Sequence, residues 1–169
     1  MNKQKYLKFF LIFLVILGIS LSLYKFTLIP EGVTNDEANA AYDAFLVART
    51  GKDQWGTKLP FLYRGFGDYR LPVYPYIVAF FSLFFGLSPL TTRLPSMLSG
   101  ILSVYCIYLL TKNLFNQDKS KLIGLFAAVL MLFNPWHFAA RRVMFETNLA
   151  LTFLIAGFYF ITKDKVVKK

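Results

Sequence analysis

The fold class is decided by an apolar run near the N-terminus, Phe9 to Leu28, which reads FFLIFLVILGISLSLYKFTL. A helix needs roughly 20 such residues to cross a bilayer. Lys25 is the only charged residue in the run and lies near its end. The run is also longer than the roughly 7 to 15 apolar residues of a secretory signal peptide. We therefore predict an uncleaved helix that spans the membrane.

Four further apolar runs follow along the chain: Leu71 to Leu87, Leu94 to Leu110, Leu122 to Ala140, and Leu149 to Ile161. The 169 residues are 56% hydrophobic and 18% aromatic, which is more apolar surface than a soluble domain of this length can bury. The sequence predicts an all-α membrane protein, with residues 1–169 forming a single membrane domain.

The net charge of +10 is concentrated beside the apolar runs. Ten of the nineteen basic residues form three clusters: Lys3, Lys5 and Lys8; Lys112, Lys119 and Lys121; and Lys163, Lys165, Lys168 and Lys169. Lysines in such positions are typical of the cytoplasmic flanks of membrane helices. The positions of the charged residues therefore predict a membrane topology, and we expect no nucleic-acid partner. Because Cys106 is the only cysteine, an internal disulfide is excluded.

All three lysine clusters lie on the cytoplasmic side only if the run from Leu71 to Leu87 does not cross the membrane. Pro72 and Pro75 open that run, and prolines disturb a regular spanning helix. We therefore predict about four transmembrane helices, with this run re-entrant or juxtamembrane. The N-terminus is then cytoplasmic, and residues 30–93 form a non-cytoplasmic loop at the plasma membrane.

Within this loop, the stretch from Asn35 to Thr50 has helical periodicity and predicts an amphipathic juxtamembrane helix. Thr34 is a suitable N-cap, with Glu37 completing a capping box and Gly51 ending the helix. The predicted apolar stripe consists of Ala38, Ala41, Phe45 and Ala48. After it, regular structure is expected to be broken by Gly56, Pro60, Gly65 and Gly67.

The acidic pair Asp36-Glu37 has two interpretations that are compatible with each other. Carboxylates in the first turn of a helix offset its dipole and close the capping box. A carboxylate held at a membrane surface can also accept the proton of an acceptor hydroxyl, as a general base does.

Three arginines are candidates for contact with a lipid phosphate. Arg70 and Arg93 each stand before an apolar run, where they can also serve only to hold a helix end or, for Arg70, to pair with Asp68. Arg142 lies in the segment between the fourth and fifth runs, together with Glu146.

The order of several short motifs carries a family resemblance. They are Asp36-Glu37-Ala38, Thr50-Gly51, Trp55-Gly56, Pro60, Asp68-Tyr69-Arg70-Leu71-Pro72-Val73-Tyr74, Phe85-Gly86, Arg93-Leu94-Pro95-Ser96, Asn134-Pro135-Trp136-His137, Arg142 and Glu146. In this order the chain resembles the N-terminal part of the class C glycosyltransferases. These membrane enzymes use polyprenyl-phosphate sugars and include the aminoarabinose transferases and the protein O-mannosyltransferases.

The resemblance implies that Asp36 is the catalytic carboxylate, with Glu37 beside it. It also implies that Arg70, Arg93 and Arg142 bind the donor phosphate, and that Glu146 is a second acidic position. Asp68 is offset from the acidic residue that directly precedes the basic one in aminoarabinose transferases. The cofactor therefore stays unknown, with a divalent metal ion as one option.

The expected function is transfer of a hexosyl or pentosyl group from a polyprenyl-phosphate donor to a hydroxyl or amine of a lipid, glycan or protein acceptor. Because family members are much longer, we expect a truncated transferase, and activity of the short chain alone is left open. The alternative is a non-catalytic membrane subunit or scaffold whose outer loop binds a partner or anionic lipid. Part of a transporter ranks lowest, since that needs ionisable residues deep in the apolar runs.

Overall fold

The structure is a computed structural model that describes residues 2–65, 67–115 and 119–167. Lys168 and Lys169 of the predicted C-terminal lysine cluster lie outside the described residues. The elements are α1 (Asn2–Leu23), α2 (Asn35–Thr50), β1 (Tyr63–Arg64), β2 (Tyr69–Arg70), α3 (Val73–Phe85), α4 (Pro89–Leu114), α5 (Ser120–Phe133), α6 (Pro135–Ala140) and α7 (Glu146–Val167).

Helix α4 is central to the bundle, because it packs along both α5 and α7, while α1 packs along α5. Small residues on α4 let the neighbouring backbones approach closely. A Cβ added to Gly100 would lie 2.6 Å from the Cβ of Arg141. Beside it, the Thr152 hydroxyl donates a hydrogen bond to the Ser99 carbonyl at 2.8 Å. The bundle is thus held by close packing and interhelical hydrogen bonds.

The all-α membrane class is confirmed, with one two-stranded hairpin added to the helices. Among the described residues, Lys3–Leu23 and Pro89–Leu114 are long and apolar enough to cross a membrane. Helices α3 and α5 have 13 and 14 residues. At about 1.5 Å per residue, each is shorter than the roughly 30 Å hydrocarbon core. Four crossings and a re-entrant α3 stay predictions.

Helix α2 has the predicted bounds and caps, including the reciprocal Thr34–Glu37 capping box. Of the predicted apolar stripe, Ala41 is buried, Phe45 and Ala48 are partly buried and Ala38 is exposed. Helix α2 packs against α3, and its Ala44 forms a buried core with Tyr74 of α3. The apolar face that α2 buries consists of Ala40, Ala41, Ala44 and Val47.

The predicted fourth apolar run also needs correction, because it is broken at Asn134 into α5 and α6. The Asn134 side chain accepts a hydrogen bond from the His137 backbone N–H at 3.0 Å, and Pro135 occupies the first helical position. Both features start a new helix. The segment after Ala140 is therefore placed at the end of α4 that carries Arg93.

A short β-hairpin stands where the sequence predicted irregular structure. Tyr63 pairs with Arg70 and Arg64 with Tyr69 in antiparallel register. Directly paired residues lie on the same face of a ladder, and successive residues alternate. Accordingly Tyr63 is buried, whereas Arg64 and Tyr69 are exposed. The hairpin thus turns Arg70 toward the helices and Arg64 toward the solvent-exposed side.

Candidate functional site at the N-terminus of α2

The two adjacent carboxylates at the start of α2 lie in opposite environments. Glu37 is 2% exposed, whereas the Asp36 side chain is 89% exposed. Successive side chains on a helix are about 100° apart, so one carboxylate faces the protein and the other faces away. The structure therefore separates the two residues that the sequence treated as a pair.

Glu37 is held by a bidentate ion pair with Arg93. Arg93 Nε donates to Glu37 Oε1 at 3.0 Å, and Nη2 donates to Oε2 at 3.2 Å. The backbone N–H groups of Met144 and Thr34 also donate to this carboxylate, at 2.8 and 3.1 Å. Burial by itself would raise the pKa of Glu37, but these hydrogen bonds outweigh it and lower the pKa. Glu37 thus connects α2 to α4 and to the segment before α7.

Arg93 and Arg142 are both buried, at 1% and 5% exposure, and both donate to backbone carbonyls. Arg93 binds the carbonyls of Phe26, Thr27, Pro30 and Gly32. Arg142 binds those of Leu21 and Ser22, in the last turn of α1 where carbonyls lack partners within the helix, and those of Tyr24 and Ile29, which follow the helix. The geometry favours structural roles for both arginines over the predicted contact with a donor phosphate.

Arg70 is placed differently, because its partner is the exposed carboxylate. Its Nη2 donates to Asp36 Oδ1 at 3.2 Å, and its Nη1 donates to the Asp36 carbonyl at 3.3 Å. A guanidinium has five N–H donors, and two are directed at Asp36. The Arg70 side chain is 12% exposed, so its body is packed while its charged end meets Asp36 at the surface.

Two further acidic residues belong to the surroundings of Arg70. A Cβ added to Gly65 would overlap Asp68 Oδ1 and lie 3.4 Å from Arg70 Nη2, so both side chains approach this glycine. Glu146 precedes the apolar part of α7; desolvation raises the pKa of its carboxyl, the Arg70 charge opposes that change, and Asp68 adds to it. Arg70 thus lies at the centre of a charged cluster, which we call the Arg70 cluster and which consists of Asp36, Asp68, Arg70 and Glu146.

The cluster does not have the form of a metal site. Within the part of the chain that the structure describes, no group of three or more His, Cys, Asp or Glu side chains could hold a metal ion. The predicted option of a divalent ion therefore gains no support from side-chain geometry.

A separate apolar cavity of about 1200 Å³ lies along α5, α6 and α7. Its walls are formed mainly by side chains such as Leu130, Met131, Leu151 and Leu154. None of the predicted site residues lines it. The charged side chains of the Arg70 cluster are therefore separate from this apolar cavity.

The segment before the hairpin is fixed to α2 by a buried carboxylate that sequence reasoning missed. Asp43 is 1% exposed and accepts hydrogen bonds from the backbone N–H and the side-chain amide of Gln54, at 2.9 and 3.1 Å. Burial raises the pKa of Asp43, and the bonds from Gln54 oppose that change. The only signal in the sequence was an acidic residue on the face of α2 next to the alanines.

Comparison with known proteins gives one match. The model of the dolichyl-phosphate-mannose-protein mannosyltransferase family matches residues 70–166, more than half of the chain. The match contains Arg70, Arg93, Arg142 and Glu146 and begins after Asp36 and Glu37. No curated protein and no solved structure matches the chain. The resemblance to membrane glycosyltransferases is confirmed, and the chain belongs to the dolichyl-phosphate-mannose-protein mannosyltransferase family.

Proposed function

We propose that this chain transfers a sugar from a polyprenyl-phosphate donor to a hydroxyl or amine acceptor on the non-cytoplasmic face of the plasma membrane. The observation that carries the proposal is the exposed Asp36 carboxylate beside Arg70. Family membership supports glycosyl transfer in general. The lysine clusters support the assignment of residues 30–93 to the non-cytoplasmic side.

In the proposed reaction, the acceptor oxygen or nitrogen attacks the anomeric carbon of the donor sugar. The bond between that carbon and the phosphate oxygen breaks, and its electron pair stays on the phosphate. Asp36 accepts the proton that the acceptor loses, as a general base. A single displacement of this kind inverts the anomeric configuration. Asp36 suits the role because its side chain is 89% exposed and an acceptor can reach it.

Arg70 is the proposed partner of the leaving phosphate. A guanidinium pairs strongly with phosphate oxygens and stabilises the charge that develops as the bond breaks. Its contact with Asp36 uses two N–H donors, so the same side chain can position the base and still bind phosphate. Glu146, whose carboxyl interacts with the charge of Arg70, is the proposed acceptor of hydrogen bonds from hydroxyls of the donor sugar.

Glu37, Arg93 and Arg142 hold the frame of the site in this proposal. Arg93 joins Glu37 to the carbonyls that follow α1, and Arg142 binds the carbonyls at the end of α1. Their removal should disturb the placement of α2, and with it Asp36, without taking away a group that contacts the donor.

The test is transfer of radiolabelled mannose from dolichyl phosphate mannose to a panel of lipid, glycan and peptide acceptors, in membranes containing the chain. Asp36→Asn should abolish transfer and Arg70→Ala should lower it strongly. Glu31→Gln is the matched control, since Glu31 is an exposed carboxylate of the same loop outside the cluster. Near-normal transfer by Asp36→Asn would contradict the assignment of the base. Absence of mannose transfer by the unmodified chain would contradict a mannosyl donor and favour a non-catalytic subunit or scaffold.

A further inference from the structure

A small pocket lies on the outward face of the β-hairpin. It has a volume of about 310 Å³ and is lined by Trp55, Arg64, Gly65, Gly67, Asp68 and Tyr69. We refer to it as the hairpin pocket. Pockets for small molecules begin at roughly 300 Å³, so the hairpin pocket has room for a ligand of one or two sugar rings.

Trp55 is fixed in the hairpin pocket although it is not buried. Its backbone N–H donates to Asp53 Oδ1 at 3.0 Å, and its indole Nε1 donates to the Arg64 carbonyl at 3.0 Å. The residue is nevertheless 49% exposed. An aromatic ring that is already immobilised loses little further conformational entropy when a ligand packs on it.

The other walls of the hairpin pocket supply polar groups around this ring. The Arg64 guanidinium lies 4.7 Å from the centre of the Trp55 ring, and Tyr69, paired opposite Arg64, is 70% exposed. Asp68 contributes a carboxylate at the turn. The pocket therefore combines aromatic surface, hydrogen-bond donors and an anionic acceptor.

This combination matches the chemistry of a carbohydrate. A sugar ring presents C–H groups on its faces, which pack on aromatic rings, and hydroxyls around its edge, which bind charged donors and acceptors. The pocket also adjoins the proposed catalytic cluster, because the Asp68 and Arg70 side chains both approach Gly65 and Arg70 binds Asp36.

We propose that the hairpin pocket binds a sugar unit of a carbohydrate acceptor. That the bound sugar is an acceptor rests on the proposed function, whereas the binding of a saccharide does not. Asp68 accepts hydrogen bonds from sugar hydroxyls, Arg64 donates to them, and Trp55 and Tyr69 cover the ring. Gly65 is needed because a side chain there would displace the Asp68 carboxylate.

The chain has two tryptophans, which makes the pocket directly observable. In Trp136→Phe, fluorescence reports on Trp55 alone, and the protein is placed in phosphatidylcholine nanodiscs so that no sugar-based detergent competes. Mannotriose, maltotriose and chitotriose are titrated in turn. We expect a saturable change with at least one of them. Asp68→Asn in the same background should weaken that binding about tenfold, equivalent to about 1.4 kcal/mol.

Trp55→Phe is the reciprocal control, in which Trp136 should show no saccharide-dependent change. No saturable signal from Trp55 with any of the three saccharides would overturn the proposal. The proposal would also be overturned if brominated phosphatidylcholine quenched Trp55 fluorescence and aqueous iodide did not, because the ring would then be a membrane-interface residue. Saccharide binding by Trp136→Phe, in which Asp36 is intact, without transfer by the unmodified chain would refute only the proposed reaction.

Discussion

Replacing Glu37 by glutamine should destabilise the fold by about 3 kcal/mol, whereas Asp36→Asn should cost less than about 1 kcal/mol. The two residues are neighbours in one helical turn, and each pairs with an arginine. They differ in burial, since Glu37 is 2% exposed and the Asp36 side chain is 89% exposed. The comparison therefore isolates the effect of burial on an ion pair.

The magnitude follows from what is left behind in each variant. Without the Glu37 carboxylate, Arg93 is a buried guanidinium whose remaining partners are backbone carbonyls. Removing one partner of a buried pair typically costs about 3–5 kcal/mol. The lower end applies here, because the glutamine amide oxygen can still accept one hydrogen bond. In Asp36→Asn, Arg70 keeps its bond to the Asp36 carbonyl and its charge stays near solvent.

The assay is reversible unfolding by SDS in mixed micelles, followed by far-UV circular dichroism. A double mutant of Glu37→Gln with Arg93→Gln should cost less than the sum of the single changes, since a buried charge is no longer left unpaired. Equal losses for Glu37→Gln and Asp36→Asn would refute the assignment of Glu37 to the frame and Asp36 to the exposed site.

The same pair predicts a pH dependence with a definite sign. The ordinary value for Glu37 is 4.5, and the folded state lowers its pKa. Between the lower folded pKa and the ordinary value of 4.5, the unfolded chain binds more protons than the folded protein, so the free energy of unfolding rises with pH. The advantage of the unmodified protein over Glu37→Gln should be full above pH 4.5 and shrink as the pH falls through the lower folded pKa. An advantage that grows on acidification would contradict this sign.

Further predictions concern packing and topology. Gly100→Ala should cost about 1–3 kcal/mol in the same unfolding assay, because its Cβ would press on Arg141 at 2.6 Å; an unchanged midpoint would contradict this. Arg142→Gln should cost about 3 kcal/mol by leaving buried carbonyls without donors, and a loss below 1 kcal/mol would count against its role at the end of α1. In a Cys106→Ser background, Lys58→Cys should react with an impermeant thiol reagent from outside intact cells, and protection until permeabilisation would overturn the predicted topology.

Helix α2 could be predicted from the sequence because its boundary signals are local. Thr34, Glu37 and Gly51 lie within or next to the helix, and their capping roles depend on neighbouring backbone groups. The buried face could not be predicted in the same way. Most apolar residues of α2 are alanines spread around the helix, so the contact with α3, and not the periodicity, decides which of them are buried.

The roles of the arginines depend on partners that are distant in the sequence. Glu37 and Arg93 are 56 residues apart, and Arg142 is more than 110 residues from the carbonyls it binds. Spacing along the chain cannot reveal such contacts. The sequence therefore predicted phosphate binding for Arg70, Arg93 and Arg142 alike.

The hairpin, in contrast, did leave a local signal. The pair Tyr-Arg occurs at 63–64 and again at 69–70, separated by four residues that include two glycines. A connection of this length and composition is typical of a β-hairpin. Its function in the fold is to set Arg70 against Asp36 and to leave Arg64 and Tyr69 exposed.

The central claim, that Asp36 is the base and Arg70 the phosphate ligand, is tested most directly by measuring donor binding and sugar transfer in the same two variants. With dolichyl phosphate mannose, Asp36→Asn should leave KM near its normal value and reduce kcat below detection. Arg70→Lys should raise KM, because a point charge replaces a guanidinium, and should retain measurable kcat. Asp36→Asn with normal kcat, or with only a raised KM, would contradict the account.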